Sequence, residues 1–311
     1  MKNINKLKGG IFGLLVGDAL GVPYEFHPSE DIPSLDKIEM QPPVGFSRAH
    51  HGVPIATWSD DGAQALCLLD SLICVGRFDL KDFSDKVLAW YDEGLWAVDR
   101  NVFDVGVQTG MALDAYRGGL APEKCGLIRP DGKGNGALMR VLPLALWHEG
   151  ANEQLVIDAH SQSLITHGNI TNLVCCGLYV LIARYLLEGF IFGDALSSAV
   201  AELRRIYSSM PEYLEEFEFR LCPDEPDIWH GKGGGYVIDS LRSAVMIMKR
   251  AKSYEEAVKQ AIALGDDTDT TACITGGLAG IVFEYDGIPS RWLDELRSKC
   301  QVDELLAKWL K

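Results

Sequence analysis

The sequence predicts an all-α protein folded as one domain spanning residues 1–311. Three observations carry that reading. Apolar residues recur at helical spacing from one end of the chain to the other. Period-two alternation is scarce. No flexible linker, long repeat or low-complexity tract separates the apolar runs. At 47% hydrophobic and 23% charged residues, the composition is that of an ordinary globular chain with a sizeable core.

The first helix is marked by Ile11, Leu14, Leu15 and Ala19, with glycines at 9, 10, 13, 17 and 21 in or beside it. Each such glycine costs roughly 1 kcal/mol against alanine in a helix. Close helix–helix approach, or backbone lining a pocket, would offset that cost. The basic start Met1-Lys2-Asn3-Ile4-Asn5-Lys6 and the apolar stretch behind it outline a secretion signal. Glycines and Asp18 break the stretch, and no small-residue cleavage site follows it cleanly, so it reads as the first helix of the mature fold. Residues 21–58 hold Pro23, Pro28, Pro33, Pro42, Pro43 and Pro54, which predicts a long, partly extended loop. Leu66, Leu69, Leu72 and Ile73 return to helical spacing. The segments Asn172–Leu187, Tyr236–Lys249, Tyr254–Leu264 and Ala272–Phe283 read as further helices. A second irregular stretch runs from Leu221 to Gly235, with Pro223, Pro226 and the run Gly233-Gly234-Gly235.

A net charge of −15 disfavours a broad nucleic-acid surface but leaves room for a phosphorylated ligand in a local pocket. No apolar run reads as long enough to span a bilayer, so no membrane partner is expected. The eight cysteines lack metal-finger spacing and read as buried free thiols, which places the protein in a reducing cytoplasm.

Two acidic clusters stand out. Ser59-Asp60-Asp61-Gly62 and Asp266-Asp267-Thr268-Asp269-Thr270 each precede a small-residue, apolar-periodic run. The first alone is accounted for by helix capping, since serine is a favoured N-cap and aspartates in a first turn suit the helix dipole. The second crowds like charges so tightly that a cation is called for. All the donor atoms are oxygens, which fits hard divalent ions such as Mg²⁺ or Mn²⁺ better than zinc; calcium stays open, although no EF-hand spacing is present.

These clusters, taken with other pieces in order, resemble the ADP-ribosylglycohydrolase family. The supporting pieces are Gly17-Asp18-Ala19-Leu20-Gly21-Val22-Pro23-Tyr24-Glu25, Asp104-Val105-Gly106, Gly134-Asn135-Gly136-Ala137-Leu138-Met139-Arg140 and Thr166-His167, so the resemblance runs from about residue 8 to about residue 285. It implies a single-domain orthogonal multi-helix bundle with two divalent cations, Mg²⁺ or Mn²⁺. It also implies hydrolysis of the bond joining ADP-ribose to a protein side chain or a related conjugate. The metal ligands it implies are Ser59, Asp60 and Asp61 on one side, and Asp267, Asp269 and Thr270 on the other. Three positions depart from the family pattern: Gly62 stands where threonine is usual, Gly265-Asp266 where Gly-Gly is usual, and Thr271 where asparagine commonly follows.

Further site residues are expected on the same basis. Glu25, at the head of the proline-rich loop, is placed beside the metals on a segment able to gate the cleft. Asp104 is an acid/base or ribose-contacting carboxylate, with helix capping as the plain alternative. Asp269 completes the catalytic set. Gly134, Asn135, Gly136 and Ala137 precede an apolar helix, and their N–H groups with that helix's dipole would hold a pyrophosphate. His167 is expected in substrate binding. Tyr236 is expected to stack on adenine or the distal ribose, or else to be a core tyrosine. Trp58 and Trp96 are core candidates. The expected partner is an ADP-ribosylated protein or an ADP-ribose-containing small molecule, met by a monomer. The alternative is a non-catalytic ADP-ribose-binding or toxin-immunity protein on the same fold. No Ser-His-Asp order or reactive-cysteine context suggests a covalent nucleophile.

Overall fold

The computed structural model describes residues 3–225 and 227–310. Met1, Lys2 and Pro226, on which the leader and second-loop readings touch, lie outside the described residues, as does Lys311. Among the described residues there are fourteen α-helices and no β-strand, as the periodicity requires. In chain order they are α1 (Ile4–Gly21), α2 (Asp60–Val75), α3 (Leu80–Glu93), α4 (Val107–Arg117), α5 (Leu142–Trp147), α6 (Asn152–Leu164) and α7 (Ile170–Leu187). Then come α8 (Phe192–Tyr207), α9 (Pro211–Glu216), α10 (Val237–Met248), α11 (Tyr254–Ile262), α12 (Thr268–Phe283), α13 (Ser290–Glu295) and α14 (Lys299–Trp309). Only isolated bridges link extended residues, such as Pro28 with Gly265 and Gly134 with Tyr236.

The residues group into two compact units. The first comprises Met1–Gly62, His230–Gly235 and Asp239–Lys311; the second comprises Ala63–Trp229 and Tyr236–Ile238.

In the first unit α1 and α12 are buried on nearly all sides, so neither has a polar face to show. Their glycines explain how two such helices pack. A Cβ on Gly9 would lie 2.0 Å from the Gly280 carbonyl oxygen, one on Gly13 2.4 Å from that of Gly276, and one on Gly17 2.2 Å from that of Ala272. A Cβ on Gly21 would lie 2.4 Å from Asp269 Cα. Peptide therefore meets peptide along the whole seam, and the propensity cost of these glycines is what close approach requires. The proline-rich loop is not loose. Tyr24, Ile38 and Met40 are buried. The Tyr24 hydroxyl donates to the Glu39 carbonyl oxygen (2.8 Å). The Glu39 carboxylate receives Lys259 (3.2 Å), Arg291 (3.0 Å) and the Trp292 indole N–H (2.5 Å).

In the second unit α7 is the central helix and packs against α5, α6 and α8. Its 18 residues reach the length and hydropathy of a bilayer span, which corrects the expectation that no run is long enough. Burial accounts for it: 78% of that stretch is covered by the protein's own helices, as a core helix should be. Trp58 (first unit) is core, whereas Trp96 (second unit) is half-buried and donates to Asp70 (3.3 Å). The cysteines are all unbridged. Cys67, Cys125, Cys175, Cys176 and Cys273 are buried as expected; Cys74 and Cys300 are exposed and Cys222 is half-buried.

Candidate functional site: an acidic centre at two helix starts

The acidic residues come together in the first unit. α2 begins at Asp60, so Asp60 and Asp61 occupy its first turn, and the Ser59 hydroxyl accepts the Asp61 N–H (3.3 Å). α12 begins at Thr268, four residues earlier than the apolar pattern suggests, which puts Asp269 and Thr270 in its first turn. Asp267 holds the N-cap position, yet its side chain does not cap the helix. The Thr270 hydroxyl lies 3.4 Å from Asp61 Oδ1, so the clusters meet across a separation of 209 residues. Carboxylate oxygens of Glu25, Asp267 and Asp269 all lie within 4.8 Å of one another. Ser59, Asp60, Asp61, Asp269, Thr270 and Glu25 are buried, and Asp267 is half-buried.

This donor set fits a hard divalent cation. It offers only oxygens, mostly anionic, gathered where water is largely excluded, and anions so placed repel unless a cation lies among them. The buried Cys273 thiol on α12 registers the same charge. Burial pushes its pKa well up, and the carboxylates of Asp61, Asp18 and Asp269 push it further.

Two residues of this unit have site roles that sequence reasoning missed. Asp18, fully buried on α1, accepts the Ser59 N–H through Oδ1 and the Gly62 N–H through Oδ2, both at 2.8 Å. It thus caps α2 from a different helix and fixes the backbone of the Ser59-Asp60-Asp61 ligand run. The available signal was a lone charge inside an apolar, glycine-rich helix, since buried charges need partners. Gly62, the departure from threonine, sits against the same carboxylate. A Cβ there would lie 2.8 Å from Leu15 Cδ2 and 3.0 Å from Asp18 Oδ2. His50 is the second missed residue. Its Nε2 lies 2.6 Å from Glu25 Oε2 and orients that carboxylate. It sits in the irregular loop, where no periodicity points to it.

The segment carrying Glu25 is strapped to the segment before α12. The Phe26 N–H donates to the Asp266 carbonyl oxygen (2.8 Å), and the Asp266 N–H donates to that of His27 (2.7 Å). The run Gly233-Gly234-Gly235 closes on the same place: the Asp267 N–H donates to the Gly233 carbonyl oxygen (2.9 Å), and a Cβ on Gly235 would lie 3.1 Å from Asp267 Oδ2. Between these strands of chain, Glu25, Phe26, Asp266 and Asp267 line a cavity of about 310 Å³.

The remaining predicted residues belong to the second unit. Gly134–Ala137 leads into turns rather than directly into a helix, because α5 starts only at Leu142; the expected helix dipole is therefore not at this loop. Its backbone is well tied. Asn172 donates to the Gly134 carbonyl oxygen (2.6 Å), and Leu138 and Met139 N–H groups both donate to that of Asn135 (2.8 and 3.1 Å). His167 is buried against this loop, where a Cβ on Gly136 would lie 2.7 Å from its Cε1. Burial, assisted by the Arg140 charge, pulls the His167 pKa down to about 3. It is a neutral imidazole whose Nδ1 pairs with Thr166 Oγ1 (2.8 Å). Arg140 closes the motif as a fully buried guanidinium, donating to Gln64 Oε1 (2.6 Å) and to Gln162 Oε1 and its carbonyl oxygen (3.0 and 2.8 Å). Sequence reasoning quoted Arg140 within the motif and gave it no role. Asp104 is half-buried with φ +57 and stands two residues before Gly106, which holds the N-cap position of α4. Tyr236 is 42% exposed, which rules out the core reading. A larger groove of about 850 Å³, lined by residues such as Phe78, Tyr116 and Pro122, contains none of the predicted ligands.

Fold and site define a class: an all-α protein whose buried carboxylates, at two helix N-termini, form a candidate divalent-cation centre. Comparison with known proteins narrows this. The chain belongs to the ADP-ribosylglycohydrolase family, whose profile matches residues 1–311. The ADP-ribosylarginine hydrolase Tri1 of Serratia proteamaculans (strain 568) is 31% identical over 310 residues, covering 98% of this chain and 78% of that protein. The ADP-ribosyl-dinitrogen reductase glycohydrolase of Rhodospirillum rubrum is 29% identical over 313 residues, covering 96% and 95%. A solved structure described as an ADP-ribosylglycohydrolase-related protein complex is 30% identical, with a TM-score of 0.77, covering 98% of this chain and 96% of that one.

Proposed function

We propose that the protein is a divalent-cation-dependent hydrolase that releases ADP-ribose from modified arginine side chains. The observation that carries this is the convergence of Glu25, Asp267 and Asp269 within 4.8 Å, beside the Asp61–Thr270 contact. Family membership supplies the reaction class. The arginine linkage is favoured because relatives at 31% and 27% identity are named ADP-ribosylarginine hydrolases.

Ser59, Asp60, Asp61, Asp267, Asp269 and Thr270 are the residues that would hold Mg²⁺ or Mn²⁺. Such ions supply Lewis acidity toward ribose hydroxyls and water. Glu25, held by His50, positions a water for attack at the anomeric carbon. Positive charge develops on the sugar as its bond to nitrogen breaks, and the surrounding carboxylates favour that charge. For the phosphorylated end of the ligand we assign the backbone of Gly134–Ala137, with His167 and the buried Arg140 charge supporting it. Tyr236 is the exposed aromatic for the adenine or ribose, and Asp104 a further acid/base. The unbridged cysteines suit a reducing cytoplasm.

The test is release of free ADP-ribose from an ADP-ribosyl-arginine conjugate with and without EDTA. A Asp267→Ala/Asp269→Ala double variant should bind no Mn²⁺ by calorimetry and turn over no substrate, while its helical circular dichroism is kept. Undiminished turnover in that variant would refute the reading.

A further inference from the structure

The geometry points to Asp266 and Phe26 as the residues that select a guanidinium leaving group. The inference rests on the hydrolase reading above and names which side chains read the linkage.

Both residues adopt backbone conformations that disfavour them. Phe26 has φ +63 and Asp266 has φ +56. A positive φ is tolerable for aspartate and a true outlier for phenylalanine. Glycine would hold either conformation free of strain. The two strained residues hold each other, since the Phe26 N–H donates to the Asp266 carbonyl oxygen at 2.8 Å. The backbone thus turns two side chains outward that a relaxed chain would not present there. Phe26 is 69% exposed, a large apolar surface left in water, and Asp266 is exposed as well.

The two side chains border one space. Together with Glu25 and Asp267 they line the cavity of about 310 Å³, so it opens directly beside the candidate cation ligands. Its wall chemistry is specific: one aromatic face and carboxylates. The Phe26 ring is steadied by the His50 ring, 5.5 Å away and tilted at 49°. A planar cation matches both features. A guanidinium stacks on an aromatic face and gives parallel N–H bonds to a carboxylate. A serine hydroxyl leaving group can do neither. Asp266 is exposed, borders the cavity and lies outside the implied ligand set of Asp267, Asp269 and Thr270, so a cation in the ligand site does not claim its charge. A negative charge beside the arginine nitrogen also stabilises the departing guanidine as it regains its proton.

The experiment compares kcat/KM for matched ADP-ribosyl-arginine and ADP-ribosyl-serine peptides in the wild type, Asp266→Gly and Phe26→Ala. Asp266→Gly removes strain and so retains the fold; Phe26→Ala gives an independent variant, and melting curves verify both. Agmatine is the product-side probe, titrated as an inhibitor of the arginine reaction. The expected result is a wild-type preference for arginine that falls at least tenfold in Asp266→Gly and about threefold or more in Phe26→Ala. Agmatine inhibition should weaken in parallel. An arginine-to-serine ratio unchanged within twofold in both variants overturns the inference and leaves the hydrolase reading standing; a wild type that prefers serine overturns the inference and the arginine linkage, leaving only hydrolysis of an ADP-ribosyl conjugate. Release of ADP-ribose from neither peptide by the wild type ends both.

Discussion

Asp18 shows how one carboxylate can set the geometry of several others. Its two oxygens each take a buried N–H at 2.8 Å, from Ser59 and Gly62. Replacing it with alanine strands both donors, and an unsatisfied buried donor costs about 1–3 kcal/mol. Asp18→Ala should therefore lower the urea-derived stability by about 2–6 kcal/mol. Asp18→Asn, which keeps one acceptor, should lose less and still bind Mn²⁺ more weakly than wild type by calorimetry. Histidines give a second residue-scale expectation. His160, stacked on Tyr213 and paired with the Tyr207 hydroxyl (2.7 Å), and His167 both have pKa values pulled down by burial to about 3. The folded value lies below the ordinary 6.5, so the unfolded chain binds the proton first. Their stability contribution is complete above pH 6.5 and is lost as pH falls from there toward 3. Urea midpoints should drop across that interval, with each histidine adding a slope of up to about 1.4 kcal/mol per pH unit. A flat profile between pH 6.5 and 4.5 would show that they ionise freely in the fold.

At the scale of elements, the α1–α12 seam decides where the ligands stand, because Asp269 and Thr270 open the helix that the α1 glycines touch. Helix propensity alone says that Gly13→Ala should stabilise by roughly 1 kcal/mol. The seam says the opposite, since the new Cβ would lie 2.4 Å from a backbone oxygen that cannot rotate away. We expect a net loss of about 1–3 kcal/mol by chemical denaturation, as for other overpacked sites. Much of this level was legible in the sequence. The glycines announced a close approach, and the prolines announced the loop at 21–58. What stayed hidden was register. The threonines and aspartates of the first α12 turn are weak helix formers, so the apolar pattern opens only at Ala272 although the helix opens at Thr268. Likewise, Leu138 to Arg140 look helical by composition and form turns: the Leu138 and Val141 N–H groups reach back three residues, to Asn135 and Leu138, and regular helix begins only at Leu142.

For the whole molecule, the acidic balance and the acidic centre pull in the same direction. A chain of net charge −15 that also buries clustered carboxylates gains by taking up divalent cation. Ligand that binds only the folded chain adds about 2.7 kcal/mol at a hundredfold excess over Kd. Mg²⁺ or Mn²⁺ should thus raise the melting temperature, EDTA should reverse the rise, and Asp267→Ala/Asp269→Ala should melt at one temperature in either condition. The fold class and the acidic ligand runs were readable because they rest on periodicity and on crowded like charge. Asp18, His50 and Arg140 were not, because each works through partners 22 to 76 residues away.

A seam made of main chain against main chain has no compliant layer. Elsewhere in the core, side chains that change rotamer absorb thermal breathing; where Gly9, Gly13 and Gly17 meet the carbonyl oxygens of α12, the nearest atom is backbone and cannot rotate away. The oxygens at the head of α12 are therefore located by the least deformable joint in their unit, and drift in surrounding apolar side chains can accumulate without moving them.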